Sequence, residues 1–231
     1  MFAALNVYHD TAAHSAAMNM AIDEALLEDA TVPSIRFYRW RSPALSFGYF
    51  GKFAHVACYG GERDLVRRWT GGGIVFHGDD LTYSIVIPAK DEAFSESSVS
   101  IYEKIHRALC DAFGGNGKHA VIAGGGGPGN AADTIRTAFN AGGYNCFANP
   151  VRADVMVDGR KIAGAAQRRM RRGLLQQGSI QGINLENGLS ERFAQELSAK
   201  WSECEIDTKI LNRARELAQC KYRTDAWLRK R

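Results

Sequence analysis

The 231-residue sequence contains no apolar run approaching the roughly 20 residues that a helix needs to span a membrane. Its first ten residues read as strand-like and lack a basic start followed by an apolar core, so no export signal is expected. The five cysteines, at positions 58, 110, 146, 204 and 220, are odd in number and include no C-x-x-C pair. This argues against a disulfide framework and against a bound metal such as zinc, and it fits a reducing, cytoplasmic setting. Charge of one sign is also scarce: 29 Lys and Arg against 25 Asp and Glu leave +4, too little to point to nucleic acid. No internal repeat and no linker-like tract divides the chain. One domain over residues 1–231 is therefore expected, long enough to bury a sizeable core. Positive charge does gather at Arg168, Arg169, Arg171 and Arg172, and again at Arg229, Lys230 and Arg231. Solvated surface is the plain reading of both clusters, and docking of an acidic protein partner the sharper one.

What is present is pattern. Met20, Ile22, Ala25 and Leu26 fall near a 3.6-residue period and predict a helix over 16–28. Strands follow over 34–38 and 44–49, separated by a Ser42-Pro43 turn. Residues 66–75 carry a Thr70-Gly71-Gly72-Gly73 break and lead to a strand over 82–87. Ile101, Ile105, Leu109 and Phe113, spaced by four, predict an amphipathic helix over 98–113 with Ser98 as its cap. After a glycine-rich stretch over 114–129, residues 154–167 read as two strands joined at Asp158-Gly159, a pair that tolerates positive φ. A strand over 173–183 and helices over 191–201 and 209–218 complete the pattern. Hairpins interleaved with a few helices predict an α+β fold, a mainly antiparallel mixed sheet with helices packed on it.

Several stretches bear on chemistry. Gly124, Gly126 and Gly129 match G-x-G-x-x-G, but a dinucleotide site needs a βαβ unit and an acid about 20 residues on, and the nearest acid, Asp154, belongs to the next hairpin. A loop is the better reading, and no Gly-Lys-Ser/Thr ending makes it a P-loop. In Arg67-Arg68-Trp69-Thr70-Gly71-Gly72-Gly73-Ile74-Val75-Phe76-His77, the glycines permit close backbone approach to a ligand because no Cβ intervenes. A tight turn beside a core histidine explains the same residues without a ligand. Lys161, just after the Asp158-Gly159 turn, would ordinarily be solvated, yet the small residues after it leave room for a ligand chain along that strand. Cys146, in Tyr144-Asn145-Cys146-Phe147-Ala148-Asn149-Pro150, precedes the Lys161 hairpin. A free cysteine is commonly a buried small hydrophobe. To act as a nucleophile, its thiol needs a nearby positive charge to draw the pKa down from about 8.5, and Lys161 could supply it. Cys110 lies on the predicted helix and reads as packed.

Taken together, these segments resemble the lipoate–protein ligase and octanoyltransferase superfamily, whose catalytic domain is similar to that of biotin–protein ligases. The resemblance runs from Met18-Asn19-Met20-Ala21-Ile22-Asp23-Glu24-Ala25 to Gln177-Gly178-Ser179-Ile180. It is carried by Arg67-Arg68-x-Thr70-Gly71-Gly72-Gly73 through His77, by Leu81-Thr82-Tyr83-Ser84, and by Gly159-Arg160-Lys161-Ile162-Ala163-Gly164 with Ala166-Gln167. Cys146-Phe147-x-x-Pro150 is similar to the octanoyltransferase branch. The resemblance implies a biotin/lipoate ligase-type catalytic domain. It implies Cys146 as nucleophile toward octanoyl-acyl carrier protein, and Lys161 as the group that orients the acyl carbonyl and favours the thiolate. It further implies a substrate-binding set of Arg68, Gly71, Gly72, Gly73, His77, Gly164 and Ala165. The acceptor would be a lysine of a lipoyl domain or of a glycine-cleavage H protein, and no cofactor would be needed. Two departures bear on the acyl donor. Gly73 stands where the transferase branch often has Arg, as in ATP-dependent ligases, and Gly78 stands where relatives are often acidic. The alternatives are an ATP- and Mg2+-using lipoate–protein ligase and a non-catalytic carrier-binding protein on the same scaffold.

Overall fold

The computed structural model describes residues 1–114, 119–124, 151–182 and 188–230. After strand β1 (Leu5–His14), helix α1 (Ala16–Asp29) starts at Ser15, whose side chain accepts the Met18 amide. Nearly every residue of α1 is buried because it is covered on both sides, so its apolar residues do not form a single stripe. Strands β2 (Ser34–Trp40) and β3 (Ala44–Phe47) follow, then β4 (Asp64–Arg67), β5 (Ile74–His77) and β6 (Leu81–Pro88). Helix α2 (Ser98–Gly114) buries Ile101, Ile105, Leu109 and Phe113 as their spacing predicts. Its cap is one residue earlier than expected: the Ser97 hydroxyl accepts the Ser100 amide at 3.1 Å, and Ser98 already lies in the helix.

The second half supplies β7 (Ala120–Ile122), β8 (Val155–Val157), β9 (Arg160–Met170) and β10 (Gly173–Ile180). Asp158 and Gly159 join β8 to β9 with φ of 49° and 73°, the two positive values that suit a two-residue hairpin turn. Helices α3 (Leu189–Leu197), α4 (Thr208–Leu217) and α5 (Asp225–Leu228) close the described chain, with strand β11 (Trp201–Glu203) between the first two. The helix expected over 191–201 therefore stops short. Ser198 turns extended, and Trp201 opens a strand parallel to β1, pairing with Leu5.

Among the described residues, one sheet runs in the order β11-β1-β2-β6-β10-β9-β8-β7 and a smaller one in the order β4-β3-β5. From β2 to β7 every pairing in the large sheet is antiparallel, and the β11-β1-β2 edge is parallel. Helices α2 and α3 pack on one face over Ile35, Ile85 and Leu174, while α1 and α4 cover Tyr38, Val86 and Leu175 on the other. No described helix is long and apolar enough to cross a membrane.

Two details tie the small sheet to the rest. Arg67, 1% exposed, donates to the carbonyls of Tyr49 and Gly51 and to those of Trp227, Leu228 and Lys230. The Trp227 indole donates back to the Arg67 carbonyl at 2.9 Å. The arginine cluster is also not merely solvated. Arg168 stacks on Tyr49 and Trp69, and Arg169 donates to the carbonyls of Phe94 and Glu96.

Candidate active site

A cavity lies between the two sheets. Tyr38 and Trp40 of β2, Thr82 of β6, Lys161, Gly164, Ala165 and Ala166 of β9, and Gln177, Gly178 and Ser179 of β10 line one side. Ser46 of β3, Val75 and His77 of β5 line the other, with Met20 of α1 and the loop residues Arg68 and Gly72. The fold thus brings Arg68, Gly72, His77, Lys161, Gly164 and Ala165 to one space, with Gly71 and Gly73 flanking Gly72. Cys146 lies outside the described residues, as do Gly126 and Gly129 of the glycine-rich stretch. Ala120–Ile122 pairs antiparallel with Val155–Val157, which is not the setting of a dinucleotide turn.

The small-sheet wall is a continuous hydrogen-bonded chain. Asp80 accepts from Thr82 and Ser179 and, at 2.8 Å, from His77 Nδ1. A carboxylate only accepts, so Nδ1 carries the proton and Nε2 is left to accept the Ser46 hydroxyl at 2.7 Å. Ser46 Oγ in turn accepts Arg68 Nη1 at 2.7 Å, and Arg68 Nη2 reaches the carbonyls of Gly71 and Gly73. Burial pushes the His77 pKa down despite Asp80, consistent with a neutral ring. Burial alone would push the Asp80 carboxyl up, but the bond from His77 and its other donors hold it below the usual range.

That chain fixes the glycine loop, and the glycines have distinct duties. Gly72 has φ of 83°, and a Cβ there would meet Arg68 Nη2 at 3.1 Å and Ala166 Cβ at 3.2 Å. A Cβ on Gly48 would sit 2.1 Å from the Gly72 carbonyl oxygen, whereas one on Gly71 would meet nothing within 4 Å. A β-branched residue at position 72 would therefore strain the loop before any ligand arrived.

Lys161 is far from the solvated lysine its turn position suggests. Its side chain is 5% exposed and its ammonium lies 2.7 Å from Asp154, whose side chain is fully buried. Asp154 also accepts the Tyr102 hydroxyl at 2.8 Å and the Val151 amide at 2.7 Å. One turn along α2, His106 Nδ1 donates to the Ala153 carbonyl at 2.6 Å, and Nε2 accepts the Tyr83 hydroxyl at 2.9 Å. Burial lowers the His106 pKa from the ordinary 6.5 to about 4. As pH falls between those values the unfolded chain binds a proton there that the folded chain refuses, so acid favours unfolding. The shift corresponds to roughly 3 kcal/mol of stability lost by pH 4. Denaturant melts from pH 7 to 4 should show this slope, and His106→Gln should flatten it. An unchanged slope in that variant would assign the loss elsewhere.

Residues 15–219 match the family described as the lipoyl protein ligase A/B catalytic domain. The chain belongs to that family. Over 174 residues it is 38% identical to the octanoyltransferase LipM of Oceanobacillus iheyensis, a match covering 71% of this chain and 59% of that one. The chain thus spans less than two thirds of that relative's length. A lipoate-protein ligase A bound with ATP shares the fold over 96% of this chain and 97% of that one, with a TM-score of 0.72 and 22% identity. A bipartite lipoate protein ligase of Thermoplasma acidophilum, studied with its E2 lipoyl domain, has a TM-score of 0.68 at 21% identity, covering 96% and 94%. These likenesses bear out the expected α+β architecture. Within this lipoyl ligase-type fold, Lys161 and the glycine loop, which the sequence singles out, border the cavity, whereas nothing in the sequence singles out the groups in the hydrogen-bonded chains behind them: Ser46, Asp80, Tyr102, His106 and Asp154. The available signal was polarity in apolar company, such as Ser46 within Ala44–Phe47.

Proposed function

We propose that this protein of the lipoyl ligase family is an octanoyltransferase. It takes an octanoyl group from octanoyl-acyl carrier protein and passes it to a lysine of a lipoyl domain or glycine-cleavage H protein. Residues 1–231 act in this reading as one catalytic domain working in the cytoplasm. The supporting observation is Lys161, a buried ammonium on the cavity wall beside the glycine loop, in a chain similar to a named octanoyltransferase. In the first step the Cys146 thiolate attacks the thioester carbonyl carbon, the bond from that carbon to the carrier's sulfur breaks, and the carrier leaves as its thiolate, which takes a proton from water. In the second, the acceptor's neutral amine attacks the enzyme thioester, gives up a proton, and the C–S bond breaks to restore Cys146. Lys161 orients the acyl carbonyl, while Gly72 and His77 border the acyl chain. The donor is already activated, so neither ATP nor Mg2+ is required.

Gly73 favours a second reading, the ATP-dependent lipoate ligase, and one experiment separates the two. Incubation with octanoyl-acyl carrier protein and no nucleotide should add one octanoyl group to the intact protein. Hydroxylamine should release it, and Cys146→Ala should never acquire it. ATP-dependent lipoylation by the Cys146→Ala protein would establish the ligase instead.

A further inference from the structure

Ala153 has φ of 67°, a left-handed backbone that an alanine adopts only under constraint, and it is 3% exposed. The constraint is visible. Its amide donates to the Ala123 carbonyl at 3.0 Å, and its own carbonyl accepts His106 Nδ1. His106 is braced from behind by the Tyr83 hydroxyl, and a Cβ on Gly178 would fall 2.3 Å from that tyrosine ring. The bend at Ala153 is followed directly by Asp154, the residue that pairs with Lys161. Tyr102, four residues before His106 on the same face of α2, donates to Asp154 Oδ1, and its oxygen accepts the Ala165 amide at 3.1 Å. The lysine lies directly over Gly164, where a Cβ would sit 2.6 Å from Lys161 Cε and 2.8 Å from Nζ and would displace it.

We infer that Tyr102 and His106 are positioning residues for acyl transfer, acting through Asp154 on the Lys161 ammonium. The inference rests on the reading of Lys161 as the lysine at the acyl carbonyl. His106 holds a strained backbone that aims the Asp154 carboxylate, and Tyr102 ties that carboxylate to the β9 segment lining the cavity. Neither side chain lines the cavity. Preorganisation of this kind acts on turnover more than on donor binding.

The test uses the full chain with octanoyl-acyl carrier protein and an H-protein acceptor. Tyr102→Phe keeps the ring and deletes one oxygen, so its kcat should fall about 10- to 100-fold with KM for the donor little changed. Lys161 should also become more reactive toward an amine-modifying reagent mapped by mass, in Tyr102→Phe and in Asp154→Asn alike. A purely structural role would lower the melting temperature without moving either readout. Lys161→Ala is assayed in parallel. If it stays active, both the reading and the inference fall. If it is inactive while Tyr102→Phe turns over normally with unchanged labelling, the inference alone is overturned.

Discussion

Lys161→Ala should lose octanoyl transfer by about 10²- to 10³-fold, the scale expected when a preorganised group at a developing charge is removed. It should also melt earlier, because the alanine leaves the fully buried Asp154 carboxylate without its ammonium partner. Removing one member of a buried pair costs about 3–5 kcal/mol, or roughly 6–20 °C in a domain of this size. Activity loss in the single variant is therefore ambiguous, and a second variant resolves it. Lys161→Met with Asp154→Asn removes both charges at similar volume, which should restore most of the melting temperature but none of the turnover. Near-normal turnover in the refolded double variant would show that the lysine has no part in the chemistry.

Arg36→Met should be the most destabilising single change in the described structure. Arg36 is 1% exposed, between Asp10 at 2.7 Å and Asp23 at 2.8 Å, and it lies over the Tyr38 ring. It also donates to the Asn19 side chain and carbonyl, so all five of its N–H donors are used. Methionine would strand two carboxylates inside the protein, costing at least about 3–5 kcal/mol against a total stability of about 5–15. Arg36→Lys should fall between, since three donors on one point cannot reach four acceptor atoms spread around the guanidinium. The network also has a pH signature. Burial pushes Asp10 up, but the bonds from His14 and Arg36 hold its carboxyl below the ordinary 3.8. Its contribution is complete above that value and disappears as pH falls through the lower folded value. Urea unfolding of the variants checks the ranking. An Arg36→Met protein within 1 kcal/mol of the parent would contradict it.

Much of the fold could be read from residue order because its signals are local. The Asp158-Gly159 turn and the four-residue spacing along α2 each need only a few neighbours to be legible. Strand β11 was not legible, because three residues carry no periodicity and its partner, β1, lies almost two hundred positions earlier. The site divides in the same way. Lys161 and the glycine loop stand in contiguous motifs. The groups that hold them come from separate elements: Tyr102 and Asp154 are 52 positions apart, and Ser46 and His77 are 31 apart. Asp154, which the sequence presents as the nearest acid to the position a dinucleotide site would need, pairs with Lys161. Its pairing with Lys161 depends on the β8–β9 hairpin folding back, and spacing alone does not show which side chains meet across it.

The clamp that Arg67 makes on residues 227–230 has a consequence for how the protein is made. Those carbonyls lie about 160 positions after the arginine that grips them. At synthesis rates of about 5–20 residues per second, Arg67 waits roughly 10–30 s on the ribosome for its last partners. During that interval the Arg67 guanidinium has only the nearer carbonyls of Tyr49 and Gly51 to bind. The C-terminal anchor of the small sheet is thus among the last contacts of the molecule to form. In the meantime the nascent chain carries a half-built binding cleft open to whatever hydrophobic groups surround it.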